Sequence, residues 1–182
     1  MYPKPTLHYE GLDWVTAHVG KGNFSHVDGS RLAVAGMSCG GIQSYAVQHD
    51  PRVTAIGIFN SGIKNQTTES ITLADIITKP IFYFLGGPTD VAYPNGERDY
   101  RRLPKSTPKW KGNLSVGHGG DYSKPNGGKF GQAATHWLQR VLRGNTSAST
   151  YFRGIGEGTV TGTGWDVVYE SLDALKGSSW DV

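Results

Sequence analysis

One cysteine, Cys39, occurs in the 182 residues, which excludes an internal disulfide and a multi-cysteine metal site. The six histidines form no H-x-x-H or H-E-x-x-H pair, so no metal is expected and no cofactor is called for. No stretch of about 18 apolar residues is present, which excludes a membrane-spanning helix. A large excess of one sign of charge is lacking as well. The net charge is +3, and the one dense basic stretch, Arg98 to Lys111, is interrupted by Asp99. It reads as a solvated surface rather than a nucleic-acid footprint. What is abundant is glycine, with 26 residues, alongside 9 prolines, 37% apolar and 18% charged residues. That composition and length describe one loop-rich globular domain with a core of its own.

Met1 to Pro5 lacks the apolar segment of a secretory signal. Yet four of the seven asparagines, Asn23, Asn65, Asn113 and Asn145, begin N-x-S/T sequons. This hints at an extracellular, longer form.

Helical and strand patterns alternate along the chain. Thr6 can cap a helix to about Val19, with Leu7, Leu12, Val15 and Val19 on one side and Gly20 as its stop. Leu32 to Gly36 is a short apolar run, as a strand buried on both faces requires. A helix over Gly40 to His49 ends at Asp50-Pro51. Val53 to Phe59 is the next strand, Leu73 to Ile77 a short helix, Pro80 to Leu85 a third strand, and Trp110 to Val116 a weaker fourth. Phe130 to Leu142 is an amphipathic helix. Strands separated by helices argue for an α/β fold with a mainly parallel sheet of about four strands. The domain covers residues 1–145. Residues 146–182 form a covering segment or tail, with Trp165 to Tyr169 as an edge strand.

The strongest chemical signal is Gly36-Met37-Ser38-Cys39-Gly40, a G-x-S-x-G between a strand and a helix. Such a turn lifts a serine hydroxyl above the sheet, and the following helix N-terminus favours developing negative charge. A Gly-rich phosphate loop is the alternative, but no G-K-S/T accompanies it. A serine needs a base. His118, in the Gly-rich loop after the fourth strand, can reach across the sheet, whereas His8, His18, His49 and His136 lie in or beside helices and His26 at the opposite end. Asp90, after the third strand, is the expected orienting acid. Glu97 and Asp99, further along the same stretch, are the runners-up and are expected to be exposed loop residues.

The Gly36 to Gly41 elbow, the Gly86-Gly-Pro-Thr-Asp90 loop and the Val116-Gly-His118-Gly-Gly120 loop resemble those of α/β-hydrolases. The stretch from about Leu12 to Leu142 is similar to the C-terminal half of the dienelactone-hydrolase, cutinase and polyester-hydrolase group of small serine esterases. The resemblance implies a Ser38–His118–Asp90 triad and an acyl-enzyme, with the Cys39 N–H as one oxyanion donor and the Cys39 side chain buried. Met37, Tyr93 and Tyr122 are the candidate substrate-lining residues. The substrate would be a small-molecule or polymeric ester. The aromatics Tyr93, Tyr100, Trp110 and Tyr122 also admit a carbohydrate-binding role or plain loop packing.

The chain departs from the group in one large respect. Only 37 residues precede Ser38, so the first four strands of the family sheet are missing, and with them the loop supplying a second oxyanion donor. The Leu32 to Gly36 strand becomes an apolar edge that invites self-association or a partner chain. Three explanations stand: a fragment of a longer esterase, which is favoured, a chain completed by a partner, or a homologue without activity. A non-catalytic interaction protein using that edge is the alternative function.

Overall fold

A computed structural model describes residues 6–64 and 72–175. The N-terminal residues, the Asn65 sequon and the last seven residues of the tail lie outside them.

Five strands form one sheet in the order β1 (Leu32–Met37), β2 (Val53–Phe59), β3 (Ile81–Leu85), β4 (Lys109–Asn113) and β5 (Asp166–Glu170). The first four are parallel and β5 runs antiparallel to β4, so the class is α/β. The helices are α1 (Thr6–His18), α2 (Cys39–Ala46), α3 (Tyr93–Arg102), α4 (Gly128–Val141) and α5 (Ser147–Arg153).

The two faces of the sheet have different cores because side chains alternate along each strand. One face is largely aliphatic and tyrosyl: Ile56, Ile58, Ile81, Tyr83 and Leu85 pack with Leu12, Tyr45, Tyr100 and Leu103. The other is aromatic: Phe59, Phe82, Phe84 and Trp110 pack with Phe130 and Trp137. Gly57 lies on this second face, where a Cβ would stand 2.8 Å from the Trp137 ring. The segment after residue 145 covers the same face with Tyr151, Phe152, Val160, Trp165 and Leu172. The Trp110 indole donates to the Phe152 carbonyl at 3.2 Å, tying that segment to β4.

Three expectations need correction. The stretch after Asp90 is a helix, α3, not a loop. Pro94 sits in its first turn, where no intrahelical N–H is required. Gly96 lets the helix approach β3, since a Cβ there would lie 2.7 Å from a Leu85 methyl. Second, Lys109 and Lys111 are buried rather than solvated. The Lys111 ammonium pairs with Glu97 at 2.5 Å, and Lys109 with Glu170 at 3.3 Å. Third, α1 buries Leu12 but leaves Leu7 and Trp14 exposed, because among the described residues β1 is the last strand on that side and the helix has little sheet to cover. A groove of about 410 Å³ runs between them, lined by Leu7, His8, Leu12, Leu32 and Val34 among others.

Candidate active site

β1 delivers Ser38 in a backbone conformation that few residues adopt, φ 53° and ψ −117°. A non-glycine residue there is strained by roughly 1–3 kcal/mol. The surrounding chain holds it. The Ser38 amide donates to the Phe59 carbonyl at 3.1 Å, and the Ser38 carbonyl accepts from the Gly41 amide at 3.0 Å and the Ser61 hydroxyl at 2.6 Å. The turn is so tight that a Cβ on Gly36 would lie 2.1 Å from the Gly40 backbone. A Cβ on Gly41 would lie 2.5 Å from Ser61, whereas one on Gly40 meets open space. The glycine that the turn demands after the serine is therefore Gly41, not the Gly40 of the motif.

The structure brings three predicted side chains together. Ser38 Oγ stands 3.1 Å from His118 Nε2, and His118 Nδ1 stands 2.6 Å from Asp90 Oδ1. His118 is one-third exposed and Asp90 is fully buried. With an ionised Asp90, Nδ1 carries the proton, and Nε2 is then free to accept from the Ser38 hydroxyl. Of the other histidines, His8 bonds the Ser44 hydroxyl, His18 stacks on Trp14 and His136 on Tyr151.

Asp90 Oδ1 also accepts from the Ala92 amide at 2.8 Å, and Oδ2 accepts from Asn60 Nδ2 at 3.0 Å and the Gly86 amide at 3.2 Å. Burial pushes its pKa up, but the bonds from Ala92, Asn60, His118 and Gly86 together outweigh that and hold the carboxyl below its ordinary value. The loops carrying the acid and the base are laced together: the Val116 and Gly117 amides both donate to the Gly86 carbonyl. A Cβ on Gly86 would strike the Gly117 carbonyl at 2.1 Å. Beyond His118, Asp121 caps α4 by accepting from the Lys129 and Phe130 amides at 2.9 and 3.1 Å.

The remaining candidates divide. Met37 is exposed beside Ser38. Cys39 is exposed rather than buried, and among the described residues no strand pairs with the outer edge of β1 beside it. Its amide lies in the first turn of α2, where helical N–H groups lack intrahelical acceptors. Tyr93 packs on the aliphatic core, with its hydroxyl toward Glu97. Tyr122 turns its hydroxyl onto Asn60 Oδ1 at 2.5 Å, and its ring meets Phe130 in an edge-to-face contact. Tyr100 and Trp110 are core residues. Neither runner-up acid is an exposed loop residue. Glu97 pairs with Lys111. Asp99, fully buried, accepts from the Ile63 amide at 2.6 Å, from Arg98 and from the Tyr45 hydroxyl at 3.1 Å.

Asn60 and Ser61 were not singled out in the sequence. Their signal is nonetheless present: they follow β2, which ends at the same rim as the three strands that carry Ser38, Asp90 and His118. Open α/β sheets gather their sites at that rim. Among the described residues no group of three or more metal-ligating side chains occurs, and no helix is long and apolar enough to cross a membrane. No protein-family model matches the chain, and no curated protein matches it either.

Proposed function

We propose that the chain carries the catalytic side chains of a serine esterase, on a sheet equivalent to the second half of an α/β-hydrolase. The observation that carries this reading is the strained Ser38 with its hydroxyl 3.1 Å from an imidazole that is itself 2.6 Å from a buried carboxylate. Ser38 Oγ attacks an ester carbonyl while His118 Nε2 takes the hydroxyl proton. Asp90 holds the Nδ1–H tautomer and stabilises the imidazolium. The Cys39 N–H, at the positive end of α2, donates to the oxyanion. Collapse of the tetrahedral intermediate breaks the ester C–O bond, and His118 returns its proton to the departing alcohol. Water, deprotonated by His118, then attacks the acyl carbon; the Oγ–acyl bond breaks, the acid leaves, and His118 returns the proton to Ser38 Oγ. One oxyanion donor comes from the elbow. A second, brought by another segment or chain, would add roughly 10²- to 10³-fold to turnover.

The experiment is covalent labelling of the purified chain with a fluorophosphonate probe. Labelling that Ser38→Ala abolishes is the expected result. A folded chain that stays unlabelled overturns activity of this chain on its own.

A second reading rests on β1, whose outer edge is unpaired among the described residues and whose Ala35 and Met37 are exposed. Such an edge pairs readily with another strand, and the chain would then be a non-catalytic interaction protein. That role tolerates Ser38→Ala without loss of binding.

A further inference from the structure

Asn60 is fully buried, follows the last residue of β2 and has φ 43°. Asparagine is among the few residues that enter the left-handed region readily, so the backbone alone narrows the choice there. The side chain narrows it further. Its Nδ2 lies 3.0 Å from Asp90 Oδ2 and 3.1 Å from the Gly117 carbonyl, two groups that only accept. The NH₂ end must therefore face them, and Oδ1 must face Tyr122, whose hydroxyl donates at 2.5 Å. Burial pushes the Tyr122 pKa up, which keeps that proton in place. The Asn60 amide donates to the Phe84 carbonyl at 2.8 Å, seating the residue between β2 and β3.

The consequence concerns rotation. The last torsion of an aspartate side chain is broad and nearly two-fold, so a carboxylate held at one oxygen swings easily. Asp90 is held at both. Asn60 supplies a side-chain donor on Oδ2, and the second hydrogen of the same NH₂ holds the peptide next to His118. One planar amide thus bonds both the acid and the peptide that carries the base, beside the backbone contacts from Gly86. We propose that Asn60 is a positioning residue for the Asp90–His118 pair, with Tyr122 fixing the amide in turn. The proposal rests on the esterase reading for its kinetic consequence but not for its structural one.

The test reads both. The His118 Nδ1 proton sits in a short, charge-assisted bond and is expected far downfield in the proton spectrum, vanishing in His118→Ala. Asn60→Gly keeps the backbone conformation but removes the amide. It is expected to move that resonance upfield or broaden it, and to lower kcat roughly 10- to 100-fold, as small misplacements of catalytic groups do. KM is expected to stay near the parent value, since no substrate contact is lost. Asn60→Asp matches the volume but opposes a second carboxylate to Asp90, and is expected to be at least as damaging. Tyr122→Phe is expected to shift the resonance in the same direction by less. A folded Asn60→Gly with the resonance and kcat unmoved overturns the proposal, as does an Asn60→Asp that behaves like the parent. If Asn60→Gly fails to fold, Tyr122→Phe decides: a shifted resonance supports the proposal and an unshifted one overturns it. A parent chain that hydrolyses no ester but shows the resonance responding to Asn60 refutes the esterase reading and keeps this one. A parent chain without the resonance refutes the pairing itself.

Discussion

Asp90 and Asp99 are both buried carboxylates, yet Asp90 turns Oδ1 to His118 Nδ1 at 2.6 Å while Asp99 faces the Ile63 amide, Arg98 and Tyr45. The two therefore do different things. Asp90→Asn presents an NH₂ where an acceptor is needed and favours the wrong imidazole tautomer. Loss of about 10⁴-fold in kcat is expected, with little change in the fold. Asp99→Asn breaks a buried charged network, so a lower melting temperature is expected with kcat per folded molecule within a few-fold of the parent. Esterase assays paired with thermal unfolding separate the two, and equal kinetic losses would mean that Asp90 is not the acid.

The glycines of the elbow should sort by space, not by motif. Gly36→Ala and Gly41→Ala each drive a methyl into atoms about 2–2.5 Å away, mainly backbone for Gly36 and Ser61 for Gly41. Loss of Ser38 labelling and of stability by at least 1–3 kcal/mol is expected, as for other overpacking changes. Gly40→Ala points its methyl into open space within α2 and is expected to stabilise by about 0.5–1 kcal/mol with labelling retained. Denaturant unfolding of the three variants beside the parent checks this. A Gly40→Ala chain as damaged as Gly36→Ala would refute the geometry.

Strain at Ser38 gives a stability signature of its own. Ser38→Gly places at φ 53° a residue that tolerates it, whereas Ser38→Ala retains the Cβ. Both abolish labelling. Ser38→Gly is expected to exceed Ser38→Ala in stability by about 1 kcal/mol, the usual scale of such relief. Calorimetry on the pair measures it, and an Ala variant equal or superior to Gly would show that the turn is relaxed.

Acid sensitivity is expected from Asp50. Its bidentate bonds to Arg52, at 2.9 and 2.6 Å, hold its pKa down at about 2, against an ordinary 3.8. Arg52 also reaches Asp13, so the pair anchors α1 to the turn before β2. A carboxyl depressed on folding contributes stability that is fully present above pH 3.8 and is lost as pH falls toward about 2. Asp50→Asn should therefore be destabilised relative to the parent near neutral pH, with the gap closing over that window. A gap that is constant with pH would assign the loss to packing instead.

Much of this was legible in the sequence, for identifiable reasons. β1, β2 and β3 are apolar runs bounded by Gly, Pro or Asp, and the helices between them follow from the same punctuation. Ser38, Asp90 and His118 could be picked because each follows a strand in a known order of residue types. α3 is not legible because its inner face is Gly96, Asp99 and Tyr100, a buried pattern with no apolar stripe. The burial of Lys109 and Lys111 is hidden for a similar reason: it depends on Glu170 and Glu97, partners that only the folded chain reveals. Asn60 is a single polar residue without periodicity, and its three side-chain partners, Asp90, Gly117 and Tyr122, come from the loops after β3 and β4, far along the chain.

The unequal division of aromatic residues between the two cores has an optical consequence. Trp110, Trp137 and Trp165 all belong to the face covered by α4 and the C-terminal segment, while the opposite core contains tyrosines but no described tryptophan. Trp14 is half exposed on α1. Among the described tryptophans, emission excited at the indole band thus reports mainly the sheet face covered by α4. Loosening of α1 from β1 would pass with only a small signal from Trp14, so a melting curve followed by tryptophan emission and one followed by far-ultraviolet dichroism would separate if that side opens first.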